Sequence, residues 1–237
     1  MELSKRLQAV ADLVTPGYTI ADVGTDHAYI PIYLVEKKIV SKAIAMDINK
    51  GPLERATEHI RGYKMEKHIQ TRLSNGLRQL QKGEADAVIL AGMGGNLMIN
   101  ILDENPDKTN CLKECILQPQ SEVAKVRAFL LEREFSFIKE DMVLDDGKYY
   151  PMMKVTPPRT ATEPRKIVWS EVELQYGKYL LEQQNPVLKQ FLERESVIRE
   201  EILDKLEKIQ GEHIQERKME LKQELFLIRE GLKYYDM

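Results

Sequence analysis

Ile20-Ala21-Asp22-Val23-Gly24-Thr25-Asp26-His27-Ala28-Tyr29-Ile30-Pro31 reads as a short buried strand that breaks at a glycine and passes into a helix. Gly24 to His27 then form a strand-to-helix turn. In open α/β sheets such turns lie at the carboxyl ends of the strands, where nucleotide-like ligands sit. Gly24, lacking a Cβ, turns tightly and lets a ligand reach the backbone. The helix behind it points unpaired N–H groups at whatever is bound. The run Lys42-Ala43-Ile44-Ala45-Met46-Asp47 is a second apolar strand ending in an acid, 23 residues after Gly24. That is close to the roughly 20-residue offset at which a carboxylate meets ribose hydroxyls. The competing reading of Asp47 is a solvated strand end ahead of a helix that begins near Asn49 and Pro52.

Working outward, Leu3, Leu7, Val10, Ala11 and Val14 recur at helical spacing, and Pro16-Gly17 stops that helix before the first strand. Strands and helices then alternate. A helix is expected from Pro52 to Lys64, a third strand from Ile69 to Ser74 closing on Asn75-Gly76, and a fourth, nearly all apolar, from Asp86 to Ala91. The fourth ends at a second glycine turn, Gly92-Met93-Gly94-Gly95, followed by a helix to Leu102, a strand from Glu114 to Gln118 and a helix carrying Val123, Val126, Phe129 and Leu130. Phe135 to Leu144 and Tyr149 to Thr156 flank Asp145-Asp146-Gly147-Lys148, which is hairpin chemistry. Five alternating strands and helices closed by a hairpin predict an α/β, Rossmann-like sheet of seven strands.

The stretch Pro157 to Pro164 marks a boundary, which divides the chain into domains 1–160 and 161–237. The second is expected to be helical. A short helix reaches Gln184 and stops at Asn185-Pro186; a longer one runs to Gly211 with Leu188, Phe191, Ile198, Ile202, Leu206 and Ile209 as its apolar edge. The last carries Leu221, Leu225, Ile228 and Leu232. Two such helices about Gly211 predict an antiparallel coiled-coil hairpin.

Composition narrows the class. The 237 residues are 43% hydrophobic and 31% charged, with no apolar run long enough for a membrane span and no secretory core in MELSKRLQAV, so a cytoplasmic protein is expected. Cys111 and Cys115 lack a second pair for a zinc site; two reduced, buried thiols and no metal are expected. The net charge of −3 excludes a generally basic nucleic-acid binder. From Ala161 onward 13 Lys+Arg face 16 Asp+Glu, and the 22 of each sign before it cancel. Contact with a polyanion must therefore come from clusters such as Lys5-Arg6, Arg55-Arg61-Lys64-Lys67 or Arg159-Arg165-Lys166.

The glycine turn and the acid of the second strand suit either NAD or S-adenosylmethionine. Asp26 stands where the second glycine of G-x-G-x-x-G belongs, and a carboxylate there would repel a pyrophosphate yet tolerate a sulfonium and an ammonium. Asp22 to Pro31, Ala91-Gly92-Met93-Gly94-Gly95 and Leu117-Gln118-Pro119-Gln120, followed by the helical tail, resemble the bacterial tRNA adenine-N1-methyltransferases of the TrmK type. The resemblance covers the whole chain, with Gln120 standing where that family is expected to have asparagine. It implies a class I methyltransferase sheet and transfer of a methyl group from S-adenosylmethionine to N1 of adenine 22 in the tRNA D-arm.

Carried onto this sequence, the resemblance implies that Asp22, Gly24 and Thr25 support the methionine end of the cofactor. Asp47 and Ile48 would hold ribose and adenine, Asn75 and Gly76 the adenine edge, and Gly92, Met93 and Gly94 the path from methyl to acceptor. Asp26 is a candidate catalytic carboxylate, to be weighed against a helix cap, with His27 and Tyr29 beside it. Tyr149 and Tyr150 are candidates for stacking on a base, weighed against core packing. The expected partner is tRNA, with no membrane and a monomeric state. A methyltransferase acting on a small molecule and a coiled-coil binding protein with a vestigial pocket are the alternatives.

Overall fold

A computed structural model describes residues 1–158, 167–207, 209 and 211–236. The chain divides into two compact units, Met1–Ile167 and Val168–Met237; the boundary expected after residue 160 lies outside the described residues.

The first unit contains, in order, α1 (Lys5–Asp12), β1 (Ile20–Val23), α2 (Tyr29–Glu36), β2 (Ala43–Asp47), α3 (Lys50–Gly62), β3 (Ile69–Leu73), β4 (Ala87–Met93), α4 (Gly95–Asp103), α5 (Pro106–Thr109), β5 (Glu114–Pro119), α6 (Val123–Glu132), β6 (Ser136–Asp145) and β7 (Lys148–Thr156). The seven strands form one sheet in the order β3-β2-β1-β4-β5-β7-β6. The first five are parallel, and β7 runs antiparallel to both β5 and β6. Every residue of β1, β2 and β5 is buried, as expected for short apolar strands covered on both faces, whereas edge strand β3 buries little beyond Ile69. Strand order reverses between β1 and β4, which opens a crevice at their carboxyl ends. Asp146 (φ 48°) and Gly147 (φ 72°) supply the two left-handed residues of a tight β6–β7 hairpin, as the Asp-Gly signal predicts.

Two long-range polar locks hold the sheet's flanks. Lys154 of β7 donates to the Leu13 carbonyl at 2.9 Å and the Thr15 hydroxyl at 2.6 Å, and pairs with Glu114 of β5 at 3.0 Å, so the end of α1 is tied to the last strands. Arg127 of α6 meets Glu140 of β6 at 2.8 Å, with the side chains only 1% and 0% exposed.

Three details of the first unit differ from expectation. Strand β4 continues through Gly92 and Met93, with a register shift against β5 between Ala91 and Met93, so these residues belong to a bulged strand end rather than to a turn. The turn expected over Gly24 to His27 extends through Ala28, so helix α2 begins at Tyr29, because His27 (φ 65°) and Ala28 (φ 54°) are both left-handed and cannot join it. Cys115 is buried, but Cys111 is exposed after the short α5.

The second unit consists of α7 (Glu171–Tyr176), α8 (Lys178–Glu182), α9 (Pro186–Glu207) and α10 (Glu212–Leu232). The single short helix expected before Gln184 is broken at Gly177, whose φ of 96° no helix admits. Ser170 and Glu173 form a reciprocal capping box that starts α7. Helices α9 and α10 pair antiparallel: Arg199 meets Glu224, Arg229 meets Glu200 at 3.1 Å, and the Leu192 side chain lies 3.2 Å from where a Cβ on Gly231 would stand. Leu188, Leu192, Leu221, Leu225 and Ile228 are buried, while Ile202 and Ile209 of the expected apolar edge are exposed. Two helices bury a full stripe only where a third layer covers them, and α7 supplies it for α10 near the Leu192 end.

The Arg127–Glu140 pair yields a direct test of the first unit. Glu140→Ala leaves a guanidinium buried without this carboxylate and is expected to lower the unfolding free energy by ~3–5 kcal/mol in urea titrations. Breaking the exposed Arg78–Glu104 pair by Arg78→Ala should cost less than ~1 kcal/mol.

Candidate active site

The candidate site follows from how β1 and β2 end. The N–H groups of Gly24 and Thr25 both donate to the Met46 carbonyl, at 2.8 and 2.9 Å, so the first turn is clasped to the neighbouring strand. Gly24 is exposed with φ 77°, and the Met93 Cε lies 2.9 Å from where a Cβ would stand. The position therefore needs glycine for its backbone angle, and Met93 packs over it. Asp22, one residue inside the strand, is buried. Desolvation pushes its carboxyl up to about 6, the Thr25 hydroxyl beside it offsetting part of the rise and the Asp47 carboxylate adding to it. Asp47 is also buried, and its Oδ1 accepts the Asn49 N–H at 2.7 Å. One oxygen thus closes the turn ahead of α3, and Oδ2 takes no hydrogen bond from any described residue.

Ile48 is exposed beside Asp47, as is Asn75 after β3. Gly76 (φ 55°) is buried, and the Ile101 side chain lies 3.0 Å from its missing Cβ, so this glycine has a packing reason of its own. Gly92, Met93 and Gly94 are half-buried at the end of β4. A Cβ on Gly94 would meet the Ser121 hydroxyl at 3.3 Å, and one on Gly92 would meet Arg6 Nη1 at 3.2 Å.

Asp26, His27 and Tyr29 come together at the rim, with α3 contributing two further residues. Arg55 donates through Nε and Nη2 to Asp26 Oδ1, at 3.0 and 2.7 Å, while the Asp26 side chain stays 59% exposed. Asp26 is not the cap of α2: the cap position is Ala28, and no side chain bonds there. His27 Nε2 is 3.5 Å from Asp26 Oδ1, and its ring stacks on Tyr29 with centroids 5.2 Å apart. His59 lies against both rings, at 4.8 and 5.4 Å. This packing holds the two consecutive left-handed residues His27 and Ala28 in a conformation that costs of order 1–3 kcal/mol each.

Arg6 was legible only as part of a basic cluster. Its backbone N–H donates to Asp145 at 3.0 Å, its Nη1 donates to Gln118 Oε1 at 3.0 Å, and its guanidinium lies 5.5 Å over the half-buried Tyr150 ring. Gln118 is fully buried, and its Nε2 donates to the Pro119 carbonyl at 3.0 Å. No local signal marks Arg6, because its partner lies 112 residues away. Of the other basic clusters, Arg55 is engaged by Asp26, and Arg159, Arg165 and Lys166 lie outside the described residues. Tyr149 is half-buried on β7. Among the described residues no three His, Cys, Asp or Glu side chains are placed to hold a metal ion, and no helix is long and apolar enough to cross a membrane.

The methyltransferase domain family matches residues 3–153. The tRNA (adenine(22)-N(1))-methyltransferase of Bacillus subtilis (strain 168) is 39% identical over 153 residues, which span 65% of this chain and 64% of that protein. The crystal structure of the B. subtilis m1A22 tRNA methyltransferase TrmK aligns over 98% of this chain and 99% of its own, at 31% identity and a TM-score of 0.82. That of M. capricolum TrmK, in complex with S-adenosylhomocysteine, aligns over 99% of both at 28% identity and a TM-score of 0.81. The strand order, the Asp22–Gly24 turn and the helical tail are thus accompanied by sequence identity along nearly the whole length, and the chain belongs to the methyltransferase domain family, among the TrmK-type tRNA adenine-N1-methyltransferases.

Proposed function

We propose that the protein transfers the methyl group of S-adenosylmethionine to N1 of adenine 22 in tRNA. The observation that carries this reading is the pairing of a buried carboxylate, Asp22, with the solvent-accessible Gly24 turn at the sheet's switch point. Together with Asp47 it makes the crevice floor anionic, which suits a cationic cofactor and opposes a pyrophosphate. Bound there, S-adenosylmethionine supplies an electrophilic methyl group on its sulfonium. Asp22, Gly24 and Thr25 hold the methionine end, and Asp47 Oδ2 accepts from the ribose hydroxyls. Ile48 gives the adenine an apolar face, with Asn75 and the Gly76 backbone at its edge. Gly92, Met93 and Gly94 line the way to the acceptor.

Adenine N1 already carries an in-plane lone pair, so the chain's main task is orientation, on a base taken out of its pairing. Asp26 retains Oδ2 beyond its Arg55 contact and accepts there from the target's amino group, which stabilises the positive charge that the methylated ring acquires. His27 and Tyr29, backed by His59, fix the turn that presents Asp26. The helical unit serves as a coiled-coil arm that positions the RNA; the protein acts in the cytoplasm, as a monomer and without a metal. Incubation with labelled S-adenosylmethionine and tRNA, followed by mapping of the modified nucleotide, is expected to place the label on A22. Transfer to a metabolite extract and not to tRNA would overturn the assignment.

Two variants test the roles given to the acids. With Asp22 raised from 3.8 to about 6, the folded chain holds a proton between these values that the unfolded chain has released. This group's contribution to stability is therefore present below pH ~4 and is lost as pH rises through ~6, by about 3 kcal/mol in the cofactor-free protein. Denaturant titrations across that window are expected to show the slope in the wild type and its loss in Asp22→Asn. Cofactor affinity should weaken below pH ~6 in the wild type only. For Asp26→Asn, the single-turnover rate should fall by roughly 100-fold, with melting temperature and cofactor affinity little changed; near wild-type turnover leaves the rate to orientation alone.

A further inference from the structure

We propose that Arg6 positions the RNA by binding a backbone phosphate beside the target nucleotide. The proposal rests on the reading of the protein as a tRNA methyltransferase. It begins from how the arginines of the first unit are neutralised. Arg55, Arg72, Arg78, Arg127 and Arg133 each meet a carboxylate, from Asp26, Glu84, Glu104, Glu140 and Asp103 respectively. Arg61, exposed on α3, meets no carboxylate either, but among the described residues nothing fastens it; the Arg6 guanidinium meets the neutral amide oxygen of Gln118 and the face of Tyr150. The adjacent acid, Asp145, accepts from the Arg6 backbone N–H. Among the described residues no carboxylate comes within ion-pair distance of this guanidinium, so its positive charge is held in place by a neutral partner.

The holding is firm. Gln118 is fully buried and locked to its own strand end through the Pro119 carbonyl. The Arg6 backbone is fastened to the β6–β7 hairpin by Asp145, and the bulged glycine of β4 makes room for Nη1, which lies 3.2 Å from where a Gly92 Cβ would stand. Four segments distant in sequence converge to fix one guanidinium at the carboxyl ends of β4 and β5. Among the described residues only one of its five N–H donors meets a protein acceptor, so a planar fork remains for an anion.

The identity of that anion follows from the chemistry of the site. S-adenosylmethionine carries no phosphate, and its carboxylate belongs with the Asp22–Gly24 end, across β1. A guanidinium at the edge of the target adenine would oppose the positive charge that the base acquires on N1 methylation. A phosphate of the extruded nucleotide lies outside the ring and gains charge-assisted, bidentate hydrogen bonds from the fork. Tyr150, under the guanidinium, braces it from below.

The test uses the full chain with Arg6→Gln and Arg6→Lys. tRNA binding is followed by fluorescence anisotropy across a salt series, alongside KM and kcat for tRNA, cofactor affinity and melting temperature. Arg6→Gln is expected to weaken tRNA binding and raise KM by roughly tenfold, with cofactor affinity and melting temperature unchanged. The slope of log affinity against log salt should shrink by just under one, the signature of one lost phosphate contact. Arg6→Lys should restore the slope and only part of the affinity, because it keeps the charge and loses the fork. An unchanged salt slope in Arg6→Gln, or losses that track a lowered melting temperature in both variants, would overturn the proposal and leave Arg6 as a brace. Wild-type protein that binds tRNA without methylating it would overturn the functional reading while the salt slope still decides the role of Arg6; wild-type protein that does not bind tRNA would overturn both.

Discussion

The strands at the middle of the sheet are covered on both faces, and β1, β2 and β5 bury every residue. Along their length a polar side chain fits only where it is paired, as Glu114 is by Lys154 at the start of β5, since an unpaired polar group there would cost several kcal/mol. Asp22, Asp47 and Gln118 lie at or next to the carboxyl ends, where the chain must also leave the sheet in very few residues. Positive φ angles collect at that edge for this reason: Gly24, His27 and Ala28 after β1, Gly76 after β3, and Gly92 at the end of β4. Each such position is held from outside itself. The Met46 carbonyl clasps the first turn, Met93 packs over Gly24, and the rings of Tyr29 and His59 hold His27.

Charge sorts by depth across the same edge. The acids Asp22 and Asp47 lie buried at the strand ends, and desolvation, with the Asp47 carboxylate adding to it, pushes the Asp22 carboxyl up. The cations Arg6 and Arg55 lie at the rim. A deep anionic floor draws in a small cation that sheds its water, while the Arg6 guanidinium, unlike Arg55, which Asp26 neutralises, is left to meet a hydrated polyanion without full desolvation. Specific rim residues can thus engage RNA although the chain as a whole is acidic, with a net charge of −3.

The helical unit obeys a different constraint. A pair of helices has one shared seam, and burial beyond it requires a further layer. That layer is present near Leu192 and Gly231, where Tyr176 packs, and the apolar residues Val197, Ile202, Met219 and Phe226 elsewhere on α9 and α10 stay exposed. Between the two helices the ion pairs of Arg199 with Glu224 and of Arg229 with Glu200 flank the buried Leu221, Leu225 and Ile228 and fit the antiparallel register.

By itself the sequence determined the alternation of strands and helices, the closing hairpin at Asp146-Gly147, the glycine turn with its acid partner 23 residues on, and the helical character of the tail. These are local properties, written in periodicities of two and 3.6 residues and in turn chemistry, and they survive reading one segment at a time. Tertiary structure alone decided where β4 ends, that Asp26 faces Arg55 instead of capping a helix, that Gly177 splits a helix, and that Cys111 is open to solvent. It also brought Arg6 to Gln118 and Tyr150, and His59 to His27. A residue's partner across the sheet edge depends on strand order and on which neighbour leaves space, and neither quantity is encoded within the few residues around it.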